Sequence, residues 1–210
     1  MSYLYDVPLR QAHNDGNLPV VLYLSSNQFR LGTPAALYSD GLRYPPAIRF
    51  LDLIGKELPA VKKALILGTG AGSTVGIMNA KGSRPRITLV EMDEDILSWA
   101  VEILEPGNKG KLDPVCEDAS AFMARNKERY DLIFVDVFVG REVPGFVMSD
   151  GFLRQCHAAL NSGGFLGLNY IVNDDDDWYR DHETFLSIFP RAELISFDMN
   201  RVFVWKHPDH

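Results

Sequence analysis

The chain has 210 residues, of which 46% are hydrophobic, and this is enough apolar material for one sizeable core. Its 28 acidic and 21 basic side chains leave a formal net charge of −7, so no global positive field favours a nucleic acid partner. The first residues lack the basic start and apolar core of a signal peptide, and no apolar run approaches the roughly 18 residues of a membrane span. We therefore expect a cytoplasmic protein without membrane association.

Cysteine and histidine patterns give no support for a disulfide framework or a metal site. The two cysteines, Cys116 and Cys156, form no CxxC motif, and the five histidines lack ligand spacing. We expect two buried, reduced thiols and no bound metal.

The N-terminal part of the chain predicts one β-hairpin. Two apolar segments, Val20–Leu24 and Gln28–Leu31, flank a short polar turn. We assign residues 1–45 to an N-terminal extension that carries this hairpin and residues 46–210 to one larger domain. A helix over Ala47–Leu58 has one apolar stripe, which should dock on the following sheet.

After residue 60 the sequence alternates between strand and helix patterns. An apolar run, KKALILGTG, ends on glycines, and six further elements follow it: Arg86–Glu91, Asp93–Leu104, Leu112–Cys116, Ala119–Lys127, Asp131–Asp136 and Ser149–Leu160. The central strands are apolar on both faces, and such alternation is typical of a parallel, doubly wound sheet.

The C-terminal end predicts a different connection. A strand over Gly164–Tyr170 and a helix over Asp175–Phe189 lead to two strands, AELISF and RVFVWK, that only a short turn separates. A connection this short joins antiparallel strands. The predicted fold is therefore α/β, with a mostly parallel, seven-stranded Rossmann-like sheet that ends in an antiparallel hairpin.

Ligands of such sheets bind beyond the carboxyl ends of the strands, and the first central strand ends in a glycine loop. This loop is GTGAGS, from Gly68 to Ser73, and its glycines let the backbone approach a ligand closely. Ser73 breaks the dinucleotide fingerprint G-x-G-x-x-G, and no P-loop Gly-Lys-Ser/Thr is present. A tight turn without a ligand is the alternative interpretation.

Three acids follow the next three strands. Glu91 lies about twenty residues beyond the glycines, where a carboxylate can accept the hydroxyls of a ribose. Asp118 could accept a hydrogen bond from an adenine amino group or simply cap the following helix. Asp136 ends an apolar strand and is either a functional acid or a structural one bonded to loop amides. Together these positions predict a cleft for an adenosine-type ligand.

The motifs ALILGTGAGST, ITLVEMDEDIL, CEDASAFM and YDLIFVD resemble the class I S-adenosylmethionine-dependent methyltransferase fold in order and spacing. The N-terminal hairpin and the segment DVFVGREVPGFVMSDGFLRQCHAALNSGGFLGLN resemble the spermidine synthase (polyamine aminopropyltransferase) branch more closely. This resemblance covers about residues 20–172.

The resemblance implies a site for S-adenosylmethionine or its decarboxylated form as co-substrate. Asp136 would be the general base, because an ammonium group attacks carbon only after it loses a proton. Tyr44 and Val139 would occupy substrate-binding positions beside a small-molecule acceptor. The nucleoside-binding positions would be Gly68, Thr69, Gly70, Gly72, Glu91, Met92, Asp118 and Ala119.

The positions that would bind the amine groups of the substrates differ from the family pattern. Ala71 stands where the family has an Asp near the propylamine group, and Val139 stands where a second acid grips the diamine. Pro46 and Phe50 stand where a Glu and a His are expected. Each lost acid removes a partner for a buried cation, so standard putrescine binding is not expected.

Three functions follow from these residues. The first is a spermidine synthase-like transferase whose acceptor is not an ordinary diamine. The second is a methyltransferase in which Asp136 binds the methionine amino group, since methyl transfer often needs only alignment of the reacting atoms. The third is a non-catalytic nucleoside-binding homologue. Because Ala71 is small and neutral, we expect S-adenosylmethionine or its demethylated product to bind at least as tightly as the decarboxylated nucleoside.

Two further expectations concern the ends of the predicted domain. The acidic run NDDDDW begins a helix, where Asn173 or Asp174 serves as the cap and the following acids favour the helix dipole. The edge strands of the N-terminal hairpin could pair with another chain, and the resembled family commonly forms dimers there, so we expect a homodimer.

Overall fold

A computed structural model describes residues 5–13, 19–34 and 36–209 of the chain. Its N-terminal part is a four-stranded antiparallel sheet in the order β1–β2–β3–β4. The predicted hairpin forms its centre as β2 and β3, and two strands that the sequence did not predict complete it. The bounds of these strands are Val7–His13 (β1), Pro19–Ser25 (β2), Gln28–Gly32 (β3) and Leu37–Asp40 (β4).

The larger part of the molecule alternates helices and strands as predicted. Its helices are Pro45–Leu53 (α1), Ser73–Ala80 (α2), Glu94–Asn108 (α3), Ala119–Arg125 (α4), Asp150–Ala158 (α5) and Asp175–Ile188 (α6). Its strands are Lys63–Leu67 (β5), Arg86–Glu91 (β6), Leu112–Cys116 (β7), Tyr130–Val135 (β8), Leu160–Ile171 (β9), Glu193–Phe197 (β10) and Asn200–Lys206 (β11).

These strands form one seven-stranded sheet in the order β10–β11–β9–β8–β5–β6–β7. The five strands from β5 to β9 run parallel to one another, whereas β11 pairs antiparallel with both β9 and β10. The chain order reverses between β5 and β8, which lie side by side. This reversal opens the crevice in which doubly wound folds bind their ligands.

The side chains of β8 pack on both faces of the sheet, which explains why the sequence of this strand is mostly apolar. Tyr130, Ile133 and Val135 pack into the core under α4, α5 and α6. Leu132 and Phe134 face the opposite layer under α1, α2 and α3. Both faces of the sheet are therefore covered, as the hydrophobic pattern predicts.

Helix α3 continues one turn beyond its predicted end at Leu104. The additional turn contains Pro106, which has no backbone amide to donate to the Glu102 carbonyl. In the structure the last turn remains docked, with Leu104 and Asn108 buried, and the Asn108 side-chain amide donates to the Leu104 carbonyl at 3.0 Å. Burial of Leu104 and Asn108 thus stabilises the last turn despite the missing backbone donor.

The expectation of two buried thiols is wrong for one of them. Cys156 is buried beneath α5, but Cys116 is exposed. Cys116 ends β7, which is the edge strand of the sheet, so only one side of it is covered. Both thiols are free.

Across the described residues, no helix is long and apolar enough to span a membrane.

Candidate active site

The glycine loop and Asp136 meet at the reversal between β5 and β8. The Asp136 amide donates to the Leu67 carbonyl at 2.8 Å, so the two strand ends stay in register. Gly68 has a positive φ of 81°, and a side chain there would place Cβ 2.2 Å from the Asp136 carbonyl oxygen. Only glycine permits this approach of the two loops.

Glu91 secures the other side of the glycine loop. Its carboxylate accepts the Thr69 amide at 3.1 Å and the amides of Met92 and Asp93 at 2.9 and 3.2 Å. Burial raises the pKa of Glu91, although these three amides oppose that shift. A carboxylate has about four acceptor positions, so capacity remains for a ribose hydroxyl.

Asp118 serves as the cap of α4. Its Oδ1 accepts the Ala121 amide at 3.0 Å, while the side chain stays exposed at the rim of the cleft. The capping interpretation is thus confirmed. The cap uses only Oδ1 of Asp118, and Oδ2 could still accept a hydrogen bond from adenine. The adenine-binding interpretation therefore stays a prediction.

A cavity of about 540 Å³ lies over these strand ends, and its size suits an adenosine-type molecule. Three predicted site residues, Thr69, Gly72 and Tyr44, do not line this cavity. The predicted site residues in its lining are Gly68, Gly70, Glu91, Met92, Asp118, Ala119, Asp136 and Val139.

Asp136 is held by a chain of hydrogen bonds that comes from three separate elements. Its Oδ1 accepts Tyr44 Oη at 3.2 Å and Asn169 Nδ2 at 2.8 Å. Asn169 Oδ1 in turn accepts Asn200 Nδ2 at 2.9 Å. Burial raises the pKa of Asp136 to about 6, and the two bonds to Oδ1 oppose this shift.

A second cavity of about 290 Å³ adjoins the first on the far side of this network. Tyr38 and Phe138 line both cavities. Tyr44 and Asn169, the two donors to Asp136, line the second one. Asp136 therefore lies at the boundary between a nucleoside-sized space and a smaller neighbouring space.

The loop after β8 forms a tight turn at the mouth of the site. Val139 and Glu142 exchange both backbone hydrogen bonds, and Gly140 between them has a φ of 64°. The Gly140 amide donates to Tyr38 Oη at 2.9 Å. Val139 itself lines the larger cavity with 46% of its surface exposed, so no acid projects from this position.

Ala71 does not line the cavity. It is only 5% exposed and packs in an apolar cluster between the N-terminal sheet and α3, together with residues such as Leu31 and Trp99. The side chain at this position therefore does not discriminate between nucleosides by direct contact. The expected preference for S-adenosylmethionine stays a prediction, and it loses this support.

Sequence reasoning missed Tyr38 and Asn169. Tyr38 lies on a strand that was not predicted, and Asn169 was hidden inside an apolar strand. The sequence signal for Asn169 was a single side-chain amide within an apolar strand. A buried polar side chain needs a hydrogen-bond partner, so this amide indicated a polar contact in the core. Asn169 is 1% exposed, and its partner is Asp136.

The acidic run behaves as predicted. Asp174 caps α6, and its Oδ1 accepts the amides of Asp176 and Asp177 at 2.9 and 3.1 Å. No group of three or more potential metal ligands occurs within residues 5–13, 19–34 and 36–209.

The solved structures with a similar fold include spermidine synthase from Thermotoga maritima. That structure matches 97% of this chain and 74% of its own with a TM-score of 0.72, at 13% sequence identity. Human methyltransferase-like protein 13, solved in complex with SAH, matches 79% of each chain with a TM-score of 0.63 and 18% identity. At these identities the likeness establishes the Rossmann-like methyltransferase fold.

Sequence relatives point to one branch of this fold. Polyamine aminopropyltransferase 1 of Pseudomonas aeruginosa is 33% identical over 115 residues, which make up 51% of this chain and 39% of that relative. The chain thus matches about two fifths of that relative's length. The family model for the spermine/spermidine synthase domain matches residues 51–182, which include the glycine loop, Glu91 and Asp136. The chain therefore belongs to the spermine/spermidine synthase family.

Proposed function

We propose that this protein is a spermidine synthase-like transferase that binds an S-adenosyl nucleoside in the larger cavity and uses Asp136 as its general base. The observation that carries this proposal is the place of Asp136 at the boundary between the two cavities. A general base works best when its pKa lies near the working pH. Burial raises the pKa of Asp136 to about 6, so at pH 7.5 most molecules carry a carboxylate that can accept a proton.

The bound nucleoside supplies a carbon atom attached to a sulfonium. An amine lone pair forms the new nitrogen–carbon bond, and the carbon–sulfur bond breaks with its electron pair left on a neutral thioether sulfur. Before the attack the acceptor's ammonium gives one proton to Asp136, and the nitrogen becomes a positively charged secondary ammonium when the new bond forms. Tyr44 and Asn169 occupy Oδ1, which leaves Oδ2 to receive this proton.

The acceptor in this proposal is not a standard diamine. Val139 supplies no second carboxylate beside the base, and the described lining of the smaller cavity contains a single acid, Asp198. An ammonium group needs a paired acid when it leaves water. Putrescine in the usual pose would lack the acid expected at position 139.

Asp136→Asn tests the role of the base. We expect turnover to fall by about 10²- to 10⁴-fold, because the amide accepts no proton. Affinity for the nucleoside should change by less than about threefold, since Asn keeps the shape of Asp. Calorimetry measures binding of the decarboxylated nucleoside, S-adenosylmethionine and its demethylated product, and chromatography follows consumption of the nucleoside with primary amines.

Two results would contradict the proposal. If the variant lost affinity as strongly as turnover, Asp136 would be an anchor for the nucleoside rather than the base. If the wild-type protein transferred a methyl group and ignored the decarboxylated nucleoside, the function would be that of a methyltransferase. Tyr179→Phe, on an exposed face of α6, serves as the control for purification and handling.

A further inference from the structure

The side chains that line the smaller cavity include fewer acids than a site for two ammonium groups would need. Among the described residues that line it, Arg141 is the single cation and Asp198 is the single acid. The rest of the wall is apolar or neutral, and the Tyr44 hydroxyl and Asn169 amide lead to Asp136. A second ammonium group in this cavity would therefore meet a guanidinium as well as the single acid.

The fold directs Arg141 to this position. The Val139–Glu142 turn places Arg141 directly after Gly140. Its carbonyl accepts Asn173 Nδ2 at 2.9 Å, which ties the turn to the end of β9. Its guanidinium contacts the Met199 sulfur in the turn between β10 and β11. The side chain thus bridges two loops of the cavity wall.

The charge of Arg141 is available to a ligand. Its contacts are a thioether sulfur and, through its backbone, an amide, and none of the ion pairs within the described ranges includes it. A guanidinium offers five donors in a planar fork that matches a carboxylate. Asp198 lies beside Met199 in the same hairpin turn. Asp198 and Arg141 are both exposed, and among the described residues no ion pair joins the two.

We infer that the acceptor is a primary amine that carries an anionic group, such as a carboxylate, at its other end. The amine lies at Asp136 and the anion at Arg141. This inference rests on the proposed function. The amine attacks as described above, and the anionic end takes no part in bond formation.

Three four-carbon primary amines test this inference, because they share the amine end and carry terminal groups of different charge. Putrescine is cationic there, butylamine is neutral and 4-aminobutyrate is anionic. We expect the protein loaded with the thioether nucleoside to bind 4-aminobutyrate at least about tenfold more tightly than either of the other amines. Calorimetry gives the three affinities, and nucleoside consumption gives the corresponding kcat/KM values.

Arg141→Gln should remove most of the advantage of 4-aminobutyrate and leave butylamine within about threefold. Arg141→Glu should invert the order in favour of putrescine. Arg154→Gln is the matched control, because it removes an exposed arginine from α5, where Arg154 pairs with Asp150. It should leave all three affinities unchanged.

Several results would overturn the inference and leave the role of Asp136 as the general base standing. These are preference of the wild-type protein for putrescine that Asp198→Asn abolishes, equal use of butylamine and 4-aminobutyrate, or an equal loss for all three amines in Arg141→Gln. The proposed function fails in a different way, when the nucleoside binds but no amine consumes it. In that case the binding order of the three amines still decides whether Arg141 recognises an anion.

Discussion

Asp136 has an environment that raises its pKa without leaving it unpartnered. Tyr44 and Asn169 both donate to Oδ1, and Asn200 fixes the orientation of the Asn169 amide. Burial disfavours the charged carboxylate more strongly than these bonds favour it, so the pKa rises to about 6. The same residue that is suited to accept a proton therefore weakens the fold at neutral pH.

Because burial of the charged carboxylate destabilises the fold, we expect the effect of Asp136→Asn on stability to depend on pH. The folded pKa of about 6 exceeds the ordinary value of 3.8, so the folded state binds the proton more tightly than the unfolded state. The contribution of Asp136 to stability is complete below about pH 4 and is lost as the pH rises through 6. Asn carries no charge, so the variant should gain about 1–3 kcal/mol over wild type at pH 8 relative to pH 4.

Urea denaturation of both proteins at pH 4 and pH 8 measures this difference. Comparing the two pH values within one protein pair cancels any packing effect of the substitution. A gain of the same size at both pH values would show that the carboxyl group titrates normally.

At the scale of elements, the site depends on how closely the loops after β5 and β8 approach each other. Gly68 and Gly82 have nearly equal positive φ values, 81° and 83°. A Cβ at Gly68 would lie 2.2 Å from the Asp136 carbonyl oxygen, whereas a Cβ at Gly82 would meet nothing within 4 Å. An alanine at either position would have the same backbone strain, but only an alanine at Gly68 would also clash with a neighbouring atom.

Gly68→Ala should destabilise the fold more than Gly82→Ala does. Both variants have an alanine in the left-handed region, which costs about 1 kcal/mol. Gly68→Ala must also push the β8 end away, so we expect a further loss of at least about 2 kcal/mol and weaker nucleoside binding. Equal losses in urea denaturation would mean that the two loops are not in tight contact.

At the scale of the whole molecule, the site joins three parts that are far apart in the chain. Tyr38 comes from the N-terminal sheet, Asp136 from the centre of the parallel sheet and Asn200 from the C-terminal hairpin. The N-terminal sheet packs on the glycine loop and α3 through the apolar cluster that includes Ala71 and Trp99. Each part therefore contributes to one wall of the cleft.

Tyr38→Phe tests the link between the N-terminal sheet and the loop after β8. The change removes the acceptor of the Gly140 amide, and one such bond contributes about 0.5–1.5 kcal/mol. We expect the Gly140 amide to exchange its hydrogen about 2- to 10-fold faster, as measured by NMR. Tyr179→Phe, at an exposed site on α6, should leave this exchange unchanged. An unchanged rate in Tyr38→Phe would show that the loop holds its shape without the N-terminal sheet.

Two expectations at this scale stay predictions. The N-terminal sheet has edge strands at β1 and β4, as a pairing surface would require, but the homodimer itself is untested. The division at residues 45 and 46 falls at the start of α1, directly after the N-terminal sheet.

Local sequence patterns determined most of the parallel domain. Strands such as β5 and β8 were predictable because both faces are buried and their apolar runs end in glycine or acid, and short-range periodicity records this directly. The same patterns predicted the glycine loop, Glu91 and Asp136, because ligands bind at strand ends. They also located the C-terminal hairpin, whose short connection allows only antiparallel pairing.

Only the tertiary structure decided what surrounds Asp136. Asn169 and Tyr44 are 33 and 92 residues away from it in the chain, so their contacts depend on strand order and helix docking rather than on any local pattern. The same is true of Ala71. The family resemblance implies a position near the propylamine group, whereas in the structure Ala71 packs in an apolar cluster. The reason is physical: periodicity reports which face of an element is buried, whereas the partner on that face is set by how distant segments pack.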